Sequence, residues 1–422
     1  MRFNYGKIFL LGFGFFGISI IWGVYNAFVP VFLADKFQLD VRWIGFFMTL
    51  DNIAALLIQP PVGAWSDRLR TPIGRRMPFI LIGAPIGAIA FGFIPVAAIL
   101  PLFVACTSTL LLSMAFWRTP AIALMPDITP SQFRSQANGI INLMGGVGAI
   151  LSFMVGASLY ELNPAYPFWM GSVLVIVAGL LVFAFIKEPK EFAPGEQIPS
   201  MWESLMDVIQ DKDKSALRIL LAIFFWFLGY TAVEAFFNLY AINHLGMTEA
   251  NGARLLGELS FTFVLSAIPA GYIGSRFGRR RTIITGLTLM SLVLLGIFFL
   301  LPETLLKPLF NLPLLGIVPE TGAPAVLVVL GALMMLAGVS WALININSLP
   351  MVVDMTDAAR IGTYTGLYYL FSTLSAIVGP NSNGWIISLS GNNYNSIMIV
   401  APIFMVVAMA LMWGVKRGEA VK

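Results

Sequence analysis

Three side chains in this sequence could do ionic or acid–base chemistry where water is scarce. Asp51, Arg118 and Glu234 each interrupt a long hydrophobic run, and an ionisable group in such a run is a functional candidate. A carboxyl group held out of water can load a proton on one side and release it on the other, so Asp51 and Glu234 are candidate proton carriers. The planar Arg118 fork can donate to two hydroxyls or grip a carboxylate. The structural alternative is a static Asp51–Arg118 pair that locks two helices. The two readings are compatible, since neutralising Asp51 would release Arg118 for another partner.

Aromatic and amide side chains accompany these charges. Trp226, Tyr230, Glu234 and Asn238 are each four apart, which sets them along one helix face. Tyr25 and Asn26 repeat the chemistry near the start of the chain, with Trp22 beside them. Trp341 and Asn345 (with Asn347), then Tyr364 and Tyr368, repeat it near the end, and Asn138 and Asn142 form an i, i+4 amide pair. Rings offer flat apolar faces and amides offer hydrogen bonds, the combination a polyhydroxylated solute requires. Taken singly, each residue could equally be glue between helices. One cysteine, Cys106, and one histidine, His244, leave no basis for a disulfide, a Cys cluster or a multi-His metal site. Arg254 and Glu258, at i, i+4, read as a structural pair or an outer gate.

Long apolar helices must hold these groups. Of 422 residues, 58% are hydrophobic and 11% charged, against about 25% charged in soluble domains. That excludes an ordinary soluble enzyme, a disordered chain and a secreted disulfide scaffold. Stretches of about 20 apolar residues, enough to cross hydrocarbon, fall at 7–33, 42–65, 77–98, 101–125, 135–160, 166–187, 218–243, 250–275, 282–301, 324–350, 360–389 and 394–415. The expected fold is an all-α membrane protein of twelve transmembrane helices. The first stretch lacks a small-residue cleavage site and reads as a retained span. Asp51 and Arg118 then each lie about 13 Å deep at 1.5 Å per residue, near the midplane of a core about 30 Å thick.

Lys and Arg orient the chain. With both termini cytoplasmic, 20 of the 25 fall on the inner side and Lys36, Arg42, Arg254 and Lys307 on the outer, with Arg118 inside a span. The net charge of +4 is accounted for by this bias, so no nucleic-acid partner is expected. A polar stretch divides the chain into an N-terminal bundle (1–187), a cytoplasmic linker (188–217) with a short amphipathic piece, and a C-terminal bundle (218–422). A Pro- and Leu-rich outer segment at 302–323 has no assigned role.

The halves echo each other. Pro61, Gly63 and Arg68 recur 208 residues later as Pro269, Gly271 and Arg276, and Gly74-Arg75-Arg76 is echoed by Gly278-Arg279-Arg280. Gly63 permits close helix approach, and Asp67 can pair with an arginine. Gly74 turns the chain, and Arg75 and Arg76 meet the anionic leaflet. These residues, with Arg68, Arg276 and Arg279, are candidates for a gating loop. Two parallel six-span repeats with a basic loop after each second span resemble the major facilitator architecture.

The stretch QPPVGAWSDRLRTPIGRRMPFILIG, residues 59–83, resembles the sucrose-transporter and glycoside–pentoside–hexuronide symporter branch. The resemblance implies a cation-coupled sugar or glycoside transporter of the cytoplasmic (inner) membrane, monomeric, with no cofactor beyond a coupling ion, a proton or else sodium. In melibiose-type relatives two acids of the second span bind that cation. The matching positions here are Ala55 and Gln59, so a proton carried by Asp51 is the expected coupling. No G-x-x-x-x-G-K-[ST] loop occurs, so the driving energy would come from an ion gradient. A sugar-acid or organic-anion transporter and a non-transporting sugar sensor are the alternative expectations. An enzyme would need clustered acids, His or Cys, which the sequence lacks.

Overall fold

A computed structural model describes residues 5–129, 134–188, 201–299, 325–356 and 361–419. The 302–323 segment and the first part of the linker therefore lie outside the described residues. Among those described, regular structure is helical throughout. By contacts the chain divides into two units, Met1–Leu39 with Leu50–Pro194, and Asp40–Thr49 with Gly195–Lys422.

The first unit contains α1 (Tyr5–Val31), α3 (Leu50–Arg68), α4 (Met77–Phe93), α5 (Leu100–Ile128), α6 (Arg134–Leu162) and α7 (Tyr166–Phe185). The second contains α2 (Val41–Phe47), α8 (Met201–Gln210), α9 (Ser215–Asn243), α10 (Glu249–Phe277), α11 (Arg279–Phe298), α12 (Ala325–Val353), α13 (Ile361–Leu389) and α14 (Ile397–Trp413). Among the described residues, ten helical spans are long and apolar enough to cross a membrane, Val41–Ser66 counted as one. The twelve sequence stretches include two more. One is α4, which is shorter at 17 residues. The other is α13, whose 29 residues carry Thr363, Ser372, Ser375, Asn381 and Asn383. The short amphipathic piece of the linker is α8.

Local chemistry starts and stops these helices. Pro78, Pro101 and Pro167 sit in the first turns of α4, α5 and α7, where a missing N–H costs nothing. Asp40 caps α2 by accepting from the Arg42 N–H, and Thr248 caps α10.

Each unit is built on one pairing plan. In the first, α1 packs on α6 and α7, α5 on α3 and α4, and α4 on α7. In the second, α9 packs on α13 and α14, α12 on α10 and α11, and α11 on α14. Small residues allow the close approaches, as apolar helices in apolar surroundings require. A Cβ at Gly148 of α6 would fall 2.5 Å from the Phe16 carbonyl of α1, and one at Gly286 of α11 would fall 2.9 Å from the Ser340 carbonyl of α12. Serines add bonds between neighbours: Ser113 Oγ donates to the Gly83 carbonyl at 2.5 Å and Ser172 Oγ to that of Ala88 at 2.7 Å.

Candidate functional site

In the first unit, α1, α3 and α5 bring five polar side chains together. Asp51 lies in the first turn of α3 and accepts from Asn52 Nδ2 at 2.8 Å. Arg118 on α5 lies within electrostatic reach of the Asp51 carboxylate, and that carboxylate within reach of the Tyr25 hydroxyl. The Arg118 guanidinium is 6.0 Å from the centroid of the Trp22 ring, a cation–π distance. Trp22 meets Tyr25 edge-on at 5.8 Å. The pairing of α5 with α3 creates this neighbourhood.

Trp22 Nε1 and the Tyr25 hydroxyl are buried without a hydrogen-bond partner. Tyr25 itself is 1% exposed. A buried donor left unmatched is costly, so such atoms mark places where a ligand oxygen could be received. With Arg118, the cluster offers several donors beside one carboxylate. Asn26 is half-buried on the same helix, and Asn142 is exposed on α6. The side chain of Asn138 lies outside the described residues.

The second unit carries an aromatic platform. Tyr230 on α9 stacks on Trp341 of α12, with centroids 3.8 Å apart and ring planes 1° from parallel. Phe227 meets Trp341 edge-on at 5.2 Å. Tyr368 on α13 shares a 3.0 Å hydrogen bond with Ser348, and Glu234 lies within electrostatic reach of Tyr230. Asn345 is half-buried on α12, one turn beyond Trp341, and Tyr364 is half-buried on α13.

The four-residue stripe on α9 does not stay on one face. Trp226 is fully buried with its Nε1 unpartnered, and the Asn238 amide fills the space beside Gly252 on α10. Tyr230, between them, meets α12. Steps of four residues overshoot a turn by about 40° each, so the first and last members diverge by about 120°. Asn347 likewise joins helices, donating to the Ala270 carbonyl at 3.1 Å.

The two basic loops hold matching arrangements. Gly74 has φ +116° and Gly278 φ +100°, a region L-residues rarely enter. Beyond Gly74 the Glu188 carboxylate accepts from the backbone N–H groups of Arg75 (2.9 Å), Arg76 (3.0 Å) and Met77 (2.8 Å). Beyond Gly278, Glu419 accepts from Arg279 (2.6 Å) and Arg280 (3.2 Å). Each carboxylate thus lies on a helix N-terminus, where orphan N–H groups and the helix dipole favour negative charge.

The arginine side chains turn to other acids. Arg75 and Arg76 pair with Asp127 at 2.6 and 3.0 Å, Arg76 also meets Ser66 Oγ, and Arg279 pairs with Asp354. Arg68 is exposed, and the exposed Arg276 donates to the Tyr272 hydroxyl at 3.0 Å. Gly63 faces Thr119 of α5. The Asp67 side chain lies outside the described residues. The sequence reading missed Glu188, Glu419, Asp127 and Asp354 as loop partners. The available signal was an acid shortly after the sixth apolar stretch of each half.

Among the described residues, no group of three or more His, Cys, Asp or Glu could hold a metal ion. His244 stacks on Tyr240 at 5.3 Å, and burial pushes its imidazole below the usual range.

Comparison with known proteins covers most of the chain. The Major Facilitator Superfamily profile matches residues 11–302 and 255–421. A sucrose transport protein of Arabidopsis thaliana is 30% identical over 192 residues, 40% of this chain and 32% of that protein. Multidrug resistance protein 1 of Bacillus subtilis is 21% identical over 244 residues, 57% of this chain and 59% of that protein. These matches therefore span about a third and under two thirds of the relatives' lengths. The crystal structure of the nucleoside transporter NupG superposes with a TM-score of 0.75 at 16% identity, covering 97% of this chain and 100% of that one.

Proposed function

The chain belongs to the major facilitator superfamily and is a transporter rather than an enzyme, and from that premise we propose that it moves a sugar, a disaccharide or glycoside, by proton-coupled symport. In this reading twelve helices span the cytoplasmic membrane with both termini inside, and a monomer works by alternating access driven by the proton gradient. The observation that carries the sugar assignment is the Tyr230–Trp341 platform. Stacked rings present a rigid apolar face to the C–H surface of a pyranose, and nearby Glu234 and Asn345 meet its hydroxyls. The partial likeness to a sucrose transport protein supports the same class.

Proton coupling rests on the first-unit cluster. Asp51 is the proton carrier, and Arg118 is the group its charge restrains. Protonating Asp51 weakens that restraint and frees Arg118 and the unmatched donors of Trp22 and Tyr25 for the solute. A second reading, transport of a sugar acid or other organic anion, is favoured by Arg118 alone, since a guanidinium grips a carboxylate in two-point fashion.

The test is solute-driven proton uptake in proteoliposomes, with sucrose, maltose, other glycosides and a hexuronic acid. Proton entry with a neutral sugar supports the first reading, and entry with the hexuronic acid alone supports the second. Solute binding with no flux would identify a sensor and overturn both.

A further inference from the structure

In the second unit, α10 and α12 run side by side, and polar side chains of one meet glycines or carbonyls of the other at successive levels. Thr262 of α10 donates to the Met335 carbonyl at 2.8 Å, and Gly338 leaves its hydroxyl room. Asn347 of α12 donates to the Ala270 carbonyl at 3.1 Å, in the space that Gly274 leaves. Both side chains find partners, as glue between helices in an apolar setting should. Glu258 stands one turn before Thr262 and meets Gly331 in the same manner. A Cβ at Gly331 would fall 2.7 Å from Glu258 Oε2.

Glu258 departs from this series in one respect. Its Oε2 is enclosed without a hydrogen-bond partner, although the residue as a whole is half-buried. α12 carries no ionisable side chain. α9 and α11 also pack on α10. The charged groups of α11 are Arg279, Arg280 and Arg281, all in its first turn. α9 carries Arg218 in its first turn and then Tyr230, Glu234 and Tyr240, with Glu234 and Tyr230 within reach of each other. On α10 itself Arg254, one turn back, donates to Asn251 Oδ1 at 3.1 Å, and Glu249, Tyr272 and Arg276 lie toward its ends. A carboxylate oxygen withdrawn from water needs a donor or an opposite charge. A neutral carboxyl is far easier to enclose.

The internal repeat gives this acid a counterpart. With the offset of 208 residues, the position matching Asp51 is Leu259, next to Glu258. Glu258 lies nine residues past Glu249, the first residue of α10, about 13 Å along the helix at 1.5 Å per residue. Each unit therefore sets one acid at nearly the same register. Asp51 has the Arg118 guanidinium within reach, whereas Glu258 faces a glycine.

We propose that Glu258 is a second proton site, contributed by the second unit. Enclosed against Gly331 it holds its proton. When α10 and α12 part at this level, the O–H bond breaks, its electron pair stays on the carboxylate, and water takes the proton. The inference rests on the proton-symport reading above, and it adds a second proton to each solute carried.

Infrared spectra of the reconstituted protein at neutral pH read neutral carboxyl groups directly, and the difference from Glu258→Gln isolates this one. Glutamine has the size of the neutral acid, so that variant should fold. A glutamate at its ordinary value, about 4.3, is ionised at neutral pH and gives no such band. The wild type should show the band, and Gly331→Ala, whose Cβ displaces the carboxyl, should lose it. In D2O the band should shift, because a proton that leaves returns as a deuteron. No band at neutral pH, or a band that never shifts, would overturn the proposal. Proton entry driven by sucrose or maltose is then counted against sugar uptake. Glu258→Gln should lower the protons carried per sugar about twofold, from two acids to Asp51 alone. An unchanged ratio would leave symport standing and defeat the second site. A shifting band with no sugar-driven proton entry in the wild type would keep Glu258 as a proton site and remove the symport reading.

Discussion

Glu188 occupies the space a side chain at Gly74 would need: a Cβ there would fall 2.5 Å from its carboxylate. The positive φ of Gly74 turns the chain so that three successive N–H groups point at this acid from 111 to 113 residues away. Gly74→Ala therefore suffers twice, from backbone strain of order 1–3 kcal/mol and from displacement of the carboxylate. At Gly278 the Cβ would lie 3.2 Å from Glu419, so Gly278→Ala suffers mainly the strain. Melting temperatures in detergent should fall for both variants, and further for Gly74→Ala.

Glu188→Ala removes a cap from α4, with an expected cost of about 0.5–2 kcal/mol. Glu188→Gln keeps an acceptor oxygen and loses only the charge, so its melting temperature should lie between those of Ala and wild type. Glu419, which is exposed, should show the same order with smaller steps. An equal effect of Ala and Gln would mean that charge alone matters at this helix end.

The winding of α9 separates Trp226 from Tyr230, the residue that stacks on Trp341 of α12. Trp341→Ala removes the partner of Tyr230 and should raise the KM for solute about two- to twelvefold, the worth of an aromatic pair. Trp226→Phe changes a ring buried among helices and should lower the melting temperature while leaving KM near wild type. Uptake kinetics and melting curves on the same preparations check both. A raised KM in Trp226→Phe would return that residue to the solute-facing side.

Asp51→Asn fixes the side chain in its neutral form. Solute-driven proton uptake should disappear while solute exchange between the two sides of the vesicle persists. Loss of both would make Asp51 a structural partner of Arg118 and not a coupling group.

Arg417 joins the C-terminal tail to the end of α8 through Asp211 (2.7 Å) and Asp213 (2.7 Å). The Arg417 side chain holds the Asp211 carboxyl below its ordinary range, and the Ser215 hydroxyl does the same for Asp213. A depressed carboxyl contributes stability above the ordinary aspartate value, about 3.9, and loses it as pH falls through the folded value. Protection factors in α8, corrected for the intrinsic pH dependence of exchange, should thus be insensitive to these groups between about pH 5 and 8 and fall below about 4. High salt at neutral pH should loosen the same contact, because these side chains are roughly 40% exposed and open to screening.

The all-helical, membrane-spanning class was legible from composition. A chain this apolar has lipid for its solvent, and lipid leaves the backbone no partner outside its own helix. The repeat was legible too, because Pro61, Gly63 and Gly74 and their counterparts are set by close approach and turn geometry, which tolerate few other residues. The facing of each helix was not legible. α9 and α12 are apolar nearly all round, so no polar face marks which side turns inward. Packing of one helix on another places Trp226 in a helix contact and Tyr230 on Trp341, and sets Arg118 beside Trp22. Glu188 and Glu419 stand at matching places after the sixth apolar stretch of each half, but their capping role was not legible for a related reason. A cap made across more than a hundred residues leaves no spacing rule in the sequence, and it exists only once the helices have brought the two ends together.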